Sequence, residues 1–306
     1  MRGEQAMVPE AAFDSYYGRP IIKEAPWKGD IAFYLFAGGM AGASAVLAEG
    51  AASRGLPALE RSARLAAAGG AAAGTVALVH DLGRPERFLN MLRVFKPTSP
   101  MSVGSFILAP FSGLATAAVG SNLTGWFPRL GRLAGVGAAA FGPALATYTA
   151  ALVADTAVPA WHEGHRELPF IFAGSGATAA GGLAMLLTPA AQNGPARRMA
   201  IGGAAMEIAS AEMLQRRLGL VAEPYQQGRP GKLMKAARTM TATAALVSLV
   251  GGRNRAVSAA AGATYVAASL MTRFGIFEAG KASARDPKYT VTPQRERLAQ
   301  RQAAHI

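Results

Sequence analysis

Residues 31–52 read IAFYLFAGGMAGASAVLAEGAA, and this stretch contains a single charged residue, Glu49. A helix needs about 20 largely apolar residues to cross the hydrocarbon layer of a membrane. The stretch meets that length, and pairs of small residues such as Gly38 and Gly42 let helix backbones pack closely inside lipid. Residues 31–52 therefore predict a transmembrane helix and place the chain among integral membrane proteins.

Seven further runs of similar length follow, so that the chain has eight in all. The sixth and seventh carry charged residues. We predict an all-α integral membrane protein that forms a bundle of eight transmembrane helices over residues 31–280, with a polar N-terminal arm at 1–30 and a polar C-terminal tail at 281–306. The spans are placed near 31–52, 63–81, 102–121, 133–154, 168–189, 198–216, 236–252 and 256–279.

The composition of the chain agrees with this class. Of 306 residues, 51% are hydrophobic, 36 are glycine and only 16% are charged, which is too apolar for an ordinary soluble domain. A net charge of +13 would suggest nucleic acid for a soluble protein. Here most Arg and Lys residues flank apolar runs, where they meet lipid headgroups. We therefore expect the lipid bilayer as a partner and no nucleic acid.

The residue inventory narrows the chemistry that this chain can carry. It has no cysteine, which excludes thiolate zinc sites and iron–sulfur clusters held by the chain itself. A membrane-embedded b-type haem generally needs a pair of histidines at similar depth, and of the four histidines only His80 is placed to be one. We expect no haem, no iron–sulfur cluster and no metal site, so that electrons for any redox reaction must come from a separate subunit.

Polar residues converge at one end of the predicted bundle. With eight spans, the long loops at 82–101, 155–167 and 217–235 share one side of the membrane with both chain ends; we call this side the long-loop face and the opposite side the short-loop face. Charged groups at membrane depth are costly and usually mark a site. The candidates that approach the long-loop face are His80, Asp81, Tyr148, Glu207, Arg238 and Arg273.

Each candidate also has a structural explanation. Snorkelling toward the interface would explain Arg238 and Arg273, and an interfacial aromatic belt would explain Tyr148. Glu49, far from this end, is explained by pairing with Arg54 or Arg64. Asp81 is harder to explain structurally, because it closes an apolar run and is followed at once by the helix-ending sequence LGRP. A buried carboxylate there could exchange protons with a small polar headgroup.

The sequence HDLGRPERFLNMLRVFKPTSPMSVGSF at 80–106 resembles the NrfD/PsrC family, the integral membrane subunits of polysulfide-reductase-type complexes. Three further stretches carry the resemblance, so that it runs over most of the chain: YLFAGGMAGAS at 34–44, YTAALVADTAVPAWHEGHRELPFIFAGSGA at 148–177 and FGIFEAGKASARDPKYTVTPQRERL at 274–298.

The resemblance implies a cell-membrane protein of a bacterial plasma membrane that binds menaquinone or ubiquinone and carries no haem. It implies as partners a ferredoxin-like four-cluster iron–sulfur subunit and a molybdopterin oxidoreductase subunit. Asp81 and Tyr148 match the quinone pocket of the family, with Asp81 as the proton-exchanging group. Tyr148 and His80 are expected to hydrogen-bond the quinone oxygens, and Arg273 or Arg238 to hold the carboxylates ionised. Glu207, Arg238 and Arg273 are selected as quinone-binding residues mainly by their convergence on the long-loop face. Polar residues that some members place early in the first span are not evident, since Tyr34 and Phe36 stand there among small apolar residues.

The sequence leaves two other functions open. A secondary transporter or proton channel would also explain buried acidic residues, although such proteins usually show inverted repeats and broken helices. A pure membrane anchor would use the polar end only to dock soluble subunits. In the quinone-linked interpretation, the chain alone would not be a complete enzyme.

Overall fold

A computed structural model describes residues 21–84, 86–251 and 254–303. Over these residues the chain forms helices and no strand, with 3₁₀ turns at Gly164–Arg166 and Gly219–Ala222. The helices are α1 (Gly29–Ala52), α2 (Pro57–Asp81), α3 (Glu86–Met91), α4 (Pro100–Thr124), α5 (Pro128–Ala154), α6 (Pro159–Glu163), α7 (Leu168–Leu187), α8 (Gly194–Leu218), α9 (Glu223–Gln226), α10 (Gly228–Gly251), α11 (Arg255–Arg285) and α12 (Lys288–Ala303).

Eight of these helices are long and coincide with the eight predicted apolar runs. By length and composition, α1, α2, α4, α5 and α7 could cross a membrane. The helices α8, α10 and α11 have 25, 24 and 31 residues, but in the described part of the chain they do not meet the same criterion of apolarity. The all-helical fold is confirmed, with five candidate membrane spans.

Local sequence signals explain where the helices begin and end. Proline stands in the first turn of α2, α4, α5, α7 and α8, where its missing N–H has no helical partner to lose. The side chain of Asn254 caps α11 by accepting from the backbone N–H groups of Ala256 and Val257, at 2.9 and 3.2 Å. At the other end of α4, Gly125 adopts a φ of 75°, a left-handed conformation that stops a helix.

The long helices pack as two groups of four. The helices α1, α2, α4 and α5 contact one another and form what we call the first four-helix unit, and α7, α8, α10 and α11 form the second. Helix α1 joins the two units by packing against α7 and α11. Within the first unit, Gly42 and Gly142 face each other so closely that a Cβ on either would overlap the backbone of the other helix. Packing through small residues brings α1 and α5 into contact, as expected for helices in lipid.

The two predicted polar ends contain ordered structure where they are described. Residues 1–20 of the predicted N-terminal arm and residues 304–306 of the predicted tail lie outside the described residues. Residues 21–28 lead into α1. At the other end, α11 continues past the predicted boundary at residue 280 to Arg285, and α12 follows it. The described part of the tail is therefore largely helical.

Candidate functional site

Two tyrosines meet inside the long-loop end of the first four-helix unit. The hydroxyl groups of Tyr34 on α1 and Tyr148 on α5 are hydrogen-bonded to each other. Tyr34 is buried, and Tyr148 is half-buried. Gly104 on α4 makes room for the ring of Tyr148, because a Cβ at that position would overlap the ring. Residues from α1, α4 and α5 thus bring the two phenol groups into contact.

The tyrosine pair lies in a cleft, which we call the tyrosine cleft. Its cavity for water-sized groups has a volume of about 30 Å³, and the surrounding atom-free space, which includes open solvent, amounts to about 370 Å³. Apart from the two phenol hydroxyls, the hydroxyl of Ser105 is the only side-chain oxygen among its described lining residues, and it donates to the carbonyl of Met101 at 3.0 Å. The other lining residues are apolar or aromatic: Trp27, Ile31, Leu78, Met91, Met101 and Leu152. An apolar cavity with a few convergent polar groups is the usual form of a small-molecule site.

Asp81 lies beside the tyrosine cleft rather than in its wall. It ends α2, one turn beyond the lining residue Leu78. Its Oδ1 atom accepts a hydrogen bond from the backbone N–H of Lys28 at 3.2 Å. Because Lys28 follows Trp27 in the chain, this bond ties the end of α2 to the segment that carries a wall of the cleft. Asp81 is half-buried, so its carboxylate is partly accessible to solvent.

His80 points away from the tyrosine cleft. Its side chain is 77% exposed, and its Nδ1 atom lies 3.1 Å from Oδ2 of Asp30 in the first turn of α1. The expectation that His80 contacts a bound headgroup is not met by this placement. The physical reason is helical rotation, since adjacent residues on α2 differ by about 100° in direction and only Leu78 faces the cleft.

Glu207 and Arg273 lie together in the second four-helix unit, away from the cleft lining. Arg273 is fully buried, stacks its guanidinium 3.8 Å from the centre of the Phe172 ring, and donates from Nη2 to the Phe172 carbonyl at 2.6 Å. Glu207 is 5% exposed, and its Oε1 atom accepts from Thr272 Oγ1 at 2.6 Å. Within the described part of the chain, Glu207 Oε2 and Arg273 Nε and Nη1 have no hydrogen-bond partner. This cluster holds opposite charges with unsatisfied polar atoms.

Arg273 also reaches the boundary between the two units. A Cβ added to Gly39 on α1 would lie 2.8 Å from its Nη2 atom, and Gly39 packs against Gly176 on α7. Gly39 is five residues beyond Tyr34, which corresponds to about 7.5 Å along the helix axis. The buried positive charge is thus adjacent to the helix that carries Tyr34.

Arg238 lies on the outer surface of the second unit. It is 51% exposed and forms an ion pair with Glu212 at 3.0 Å. Glu212 also pairs with Arg216, so the three side chains form a surface network on α8 and α10. The prediction that Arg238 approaches the same site as Asp81 and Tyr148 is not met, because its position on α10 faces outward.

Glu49 belongs to a separate charged cluster near the short-loop face. It pairs with Arg64 at 3.0 Å and with Arg132 at 3.4 Å, and Arg64 also pairs with Glu60 at 2.9 Å. Pairing with Arg64 is therefore confirmed as the explanation for this buried acid. The cluster contains two acids and two arginines, so its formal charges balance.

The sequence did not predict that Tyr34 and Trp27 belong to the cleft. A usable signal for Tyr34 existed, since it shares one helical face with Ala41, Ala45 and Ala48 and carries a hydroxyl group among these small apolar residues. The sequence contains no comparable signal for Trp27, because this residue precedes α1 and helical periodicity does not apply to it. Among the described residues, no group of three or more His, Cys, Asp or Glu side chains could hold a metal ion.

Two comparisons with known proteins were informative about the family of this chain to different degrees. A comparison with curated proteins finds no match to the chain. A sequence model of the family described as "Polysulphide reductase, NrfD" matches residues 21–222. The matched region includes the whole tyrosine cleft, Asp81 and Glu207, and ends before Arg238 and Arg273. Because it covers about two thirds of the sequence, the chain belongs to the polysulphide reductase NrfD family.

Proposed function

We propose that this chain is the quinone-binding membrane subunit of a respiratory oxidoreductase complex, and that the tyrosine cleft receives the quinone headgroup. NrfD proteins are membrane subunits of quinone-linked oxidoreductases, and the chain is a multi-pass integral membrane protein. The observation that carries the proposal is the pair of phenol hydroxyls of Tyr34 and Tyr148 in an otherwise apolar cleft.

The chemistry of the cleft suits a quinone. A menaquinone or ubiquinone headgroup is a flat apolar ring with carbonyl oxygens that accept hydrogen bonds. When one phenol of the tyrosine pair donates to the other, the second phenol keeps a proton that it can donate to a carbonyl. The side chains of Ile31, Leu78 and Leu152 offer apolar contact to the ring. Tyr34 and Tyr148 would therefore bind and orient the headgroup.

Asp81 is proposed as the proton-exchanging group. Reduction of a quinone to a quinol consumes two protons as well as two electrons, so a quinone site needs a proton donor with access to water. Asp81 is half-buried beside the cleft, and the solvent-exposed His80–Asp30 pair is its neighbour on the surface. We propose that His80 acts in proton exchange at this surface rather than as a direct ligand of the quinone.

Glu207 and Arg273 are proposed to act through space. Arg273 places a fully buried positive charge against α1, and such a charge favours negative charge that develops nearby in a low-dielectric interior. Glu207 balances that charge when the cleft is empty. Arg238, on the outer surface, is assigned to docking or lipid contact.

The proposed topology has eight spans. Glu207 on α8 and Thr272 and Arg273 on α11 are buried against other helices. Several large apolar side chains of α8 and α10 are exposed, namely Met206, Met213, Leu246, Leu249 and Val250, whereas the exposed arginines Arg216 and Arg238 lie nearer the long-loop end of these helices. Helices of this kind can cross lipid although their average composition is less apolar, because polar groups in membranes face the bundle interior.

The electron path is proposed to run through a partner. With no cysteine in the chain, a ferredoxin-like four-cluster iron–sulfur subunit would bring its cluster to the long-loop face, where the tyrosine cleft lies. That subunit would connect to a molybdopterin oxidoreductase subunit. Docking at the opposite face would place the thickness of the bilayer between cluster and quinone.

One observation opposes the alternative of a proton channel through the first unit. Below the tyrosine cleft, toward the short-loop face, the interior is filled by Leu108, Phe111 and Leu145, which are 0–1% exposed. These side chains offer no hydrogen-bonding atom. The pure anchor remains the second candidate function, and binding of quinone separates the two.

The experiment that tests the proposal is binding of quinone to the purified complex. Trp27 lines the cleft, so a bound quinone should quench its fluorescence. We expect saturable quenching in the natural chain and loss of that component in a Trp27→Phe variant. Trp126, at the opposite end of the first unit, remains as the internal reference, whereas Trp161 stacks on Trp27 and should be quenched in part as well. An anchor would show no saturable quenching that depends on Trp27.

A further inference from the structure

Residues 21–28, which we call the strap, cross the long-loop end of the bundle before α1 begins. Ile22, Ala25 and Trp27 of the strap are half-buried against the core of the bundle. Trp27 lines the tyrosine cleft on the side where α1 starts, whereas Tyr34 lies almost two turns deeper. The strap therefore provides the outer wall of the cleft.

Trp27 rests on a rigid aromatic platform. Its ring stacks on that of Trp161, with centroids 5.8 Å apart and an angle of 27° between the planes. Trp161 is fully buried and donates from Nε1 to the Ile276 carbonyl at 2.8 Å. Gly280 on α11 makes this packing possible, because a Cβ there would overlap the Trp161 indole. The platform fixes where Trp27 lies when the strap is closed.

Four polar contacts attach the strap to the ends of α11 and α2. Glu24 pairs with Arg285 at 2.8 Å and with Lys281 at 3.0 Å. Lys281 also donates to the Trp27 carbonyl at 3.1 Å. The fourth contact is the bond from the Lys28 backbone N–H to Asp81. Partly exposed ion pairs are individually weak, so these contacts can break without unfolding the bundle.

We propose that Glu24, Lys281 and Arg285 are positioning residues that hold Trp27 over the tyrosine cleft and set how often the cleft opens to a headgroup. This inference rests on the proposed function for the identity of the ligand, but the opening itself is a property of the chain. Trp27 closes the cleft with an aromatic face, and the ion pairs of Glu24 determine the closed fraction. Entry and release of a headgroup at the long-loop end require these pairs to break.

The absence of cysteine from the sequence makes the opening measurable. A Ser105→Cys substitution places one thiol inside the cleft, and Met101→Cys provides a second reporter should the first variant fail to fold. The rate at which a water-soluble maleimide labels this thiol in the full-length chain in membranes reports how often the cleft opens. Adding Glu24→Gln should raise the labelling rate about two- to tenfold, the range expected for loss of one or two surface ion pairs.

The chain offers a matched control on the same face. Glu223 is 31% exposed, as Glu24 is, and pairs with Lys288 on α12 at 2.8 Å. Glu223→Gln should leave the labelling rate unchanged. Equal labelling rates in the Glu24→Gln and Glu223→Gln variants would overturn the proposal. In turnover assays, Glu24→Gln should change KM for quinone with little change in kcat, whereas a purely structural role would lower the amount of active protein and leave KM unchanged.

A short-chain benzoquinone separates this proposal from the proposed function. If quinone binds the cleft, adding it slows labelling of the thiol in the Ser105→Cys variant. If it does not slow labelling, while Glu24→Gln still accelerates labelling, the cleft opens as inferred and the quinone assignment is wrong. If quinone protects the thiol and Glu24→Gln has no effect, the quinone assignment stands and the positioning role of Glu24 is wrong.

Discussion

Tyr34 and Tyr148 come together only because residues without polar chemistry leave room for them. Gly104 accommodates the Tyr148 ring, and the close approach of Gly42 and Gly142 brings α1 and α5 within reach of each other. The chemistry of the site thus depends on glycines that never contact a ligand. At the scale of single residues, the proposed function needs both tyrosines that donate hydrogen bonds and glycines that leave space for the tyrosine rings.

Removing one phenol hydroxyl should weaken quinone binding with little effect on folding. Tyr148→Phe loses one hydrogen bond in a mostly apolar cleft, a loss of about 1 kcal/mol, which corresponds to about a fivefold increase in KM for quinone. Steady-state kinetics of the assembled complex measure it. Tyr289→Phe is the control, since its hydroxyl bonds to Glu223 at 3.1 Å on the surface and its loss should not change KM.

The ionisable group of Asp81 can be separated from its structural contact. Asp81→Asn keeps an oxygen that accepts from the Lys28 N–H but cannot exchange a proton at physiological pH. We expect the complex to assemble normally and quinone-linked turnover to fall by about tenfold or more. Glu49→Gln, at the opposite end of the first unit, should leave turnover nearly unchanged because glutamine still accepts from Arg64. Normal turnover in Asp81→Asn would assign Asp81 to holding the strap alone.

At the scale of helices, the sequence predicted the number and approximate positions of the long helices well, and it predicted the structure of the two chain ends less well. Each of the eight predicted runs forms a helix, and five of these helices are long and apolar enough to cross a membrane. Polar segments were harder to predict, since α12 and the strap are held by specific contacts such as Glu24 with Arg285. No periodic pattern reveals such contacts in a single sequence. The same limit explains why Trp27 was not predicted to line the cleft.

Substitution by alanine should have different effects at two glycines of α4, changing quinone binding at one and stability at the other. Gly104→Ala adds a Cβ that overlaps the Tyr148 ring, so it should displace the ring and raise KM for quinone without removing a hydroxyl. A Cβ at Gly113 meets nothing within 4 Å, so Gly113→Ala should raise stability by about 0.5–1 kcal/mol by limiting the unfolded chain. Thermal unfolding in detergent and quinone kinetics distinguish them. If both variants show unchanged KM, the Tyr148 ring is not constrained by α4.

Helix α12 should be held less firmly to the bundle in acid. The ammonium of Lys288 beside Glu223 lowers the pKa of that carboxyl below its ordinary value of 4.5. A carboxyl with a lowered pKa stabilises the folded contact fully above its ordinary pKa, and the contribution disappears as the pH falls through the folded value. Amide hydrogen exchange of residues 288–303 should therefore be unchanged between about pH 7 and 5 after correction for intrinsic rates, and should accelerate below about pH 4. Glu223→Gln should show the faster exchange at every pH.

At the scale of the whole molecule, the polar residues that the sequence predicted to converge lie in three separate places. Asp81 and Tyr148 do lie at one end of the first unit, as expected, because both terminate spans that share the long-loop face. Glu207 and Arg273 lie in the second unit and Arg238 on the outer surface. Sequence order gives the depth of a residue along a span, but it does not give the direction in which the side chain points or which four helices pack together. Direction and grouping are set by contacts such as Gly39 with Gly176.

Glu207 and Arg273 are opposite charges buried in the second four-helix unit, and they should be electrostatically coupled although no ion pair within 4 Å joins them in the described structure. Removing one charge leaves the other buried with less compensation, which should lower the free energy of unfolding. Glu207→Gln and Arg273→Gln should each lower the unfolding temperature strongly, whereas the double variant should recover most of the loss because no net charge remains buried. A double-mutant cycle of thermal unfolding measures this coupling. Additive losses would mean that the two charges do not compensate each other. If the double variant regains stability but not turnover, the charge of Arg273 acts on the ligand beside α1. If it regains both, the two charges contribute to stability alone.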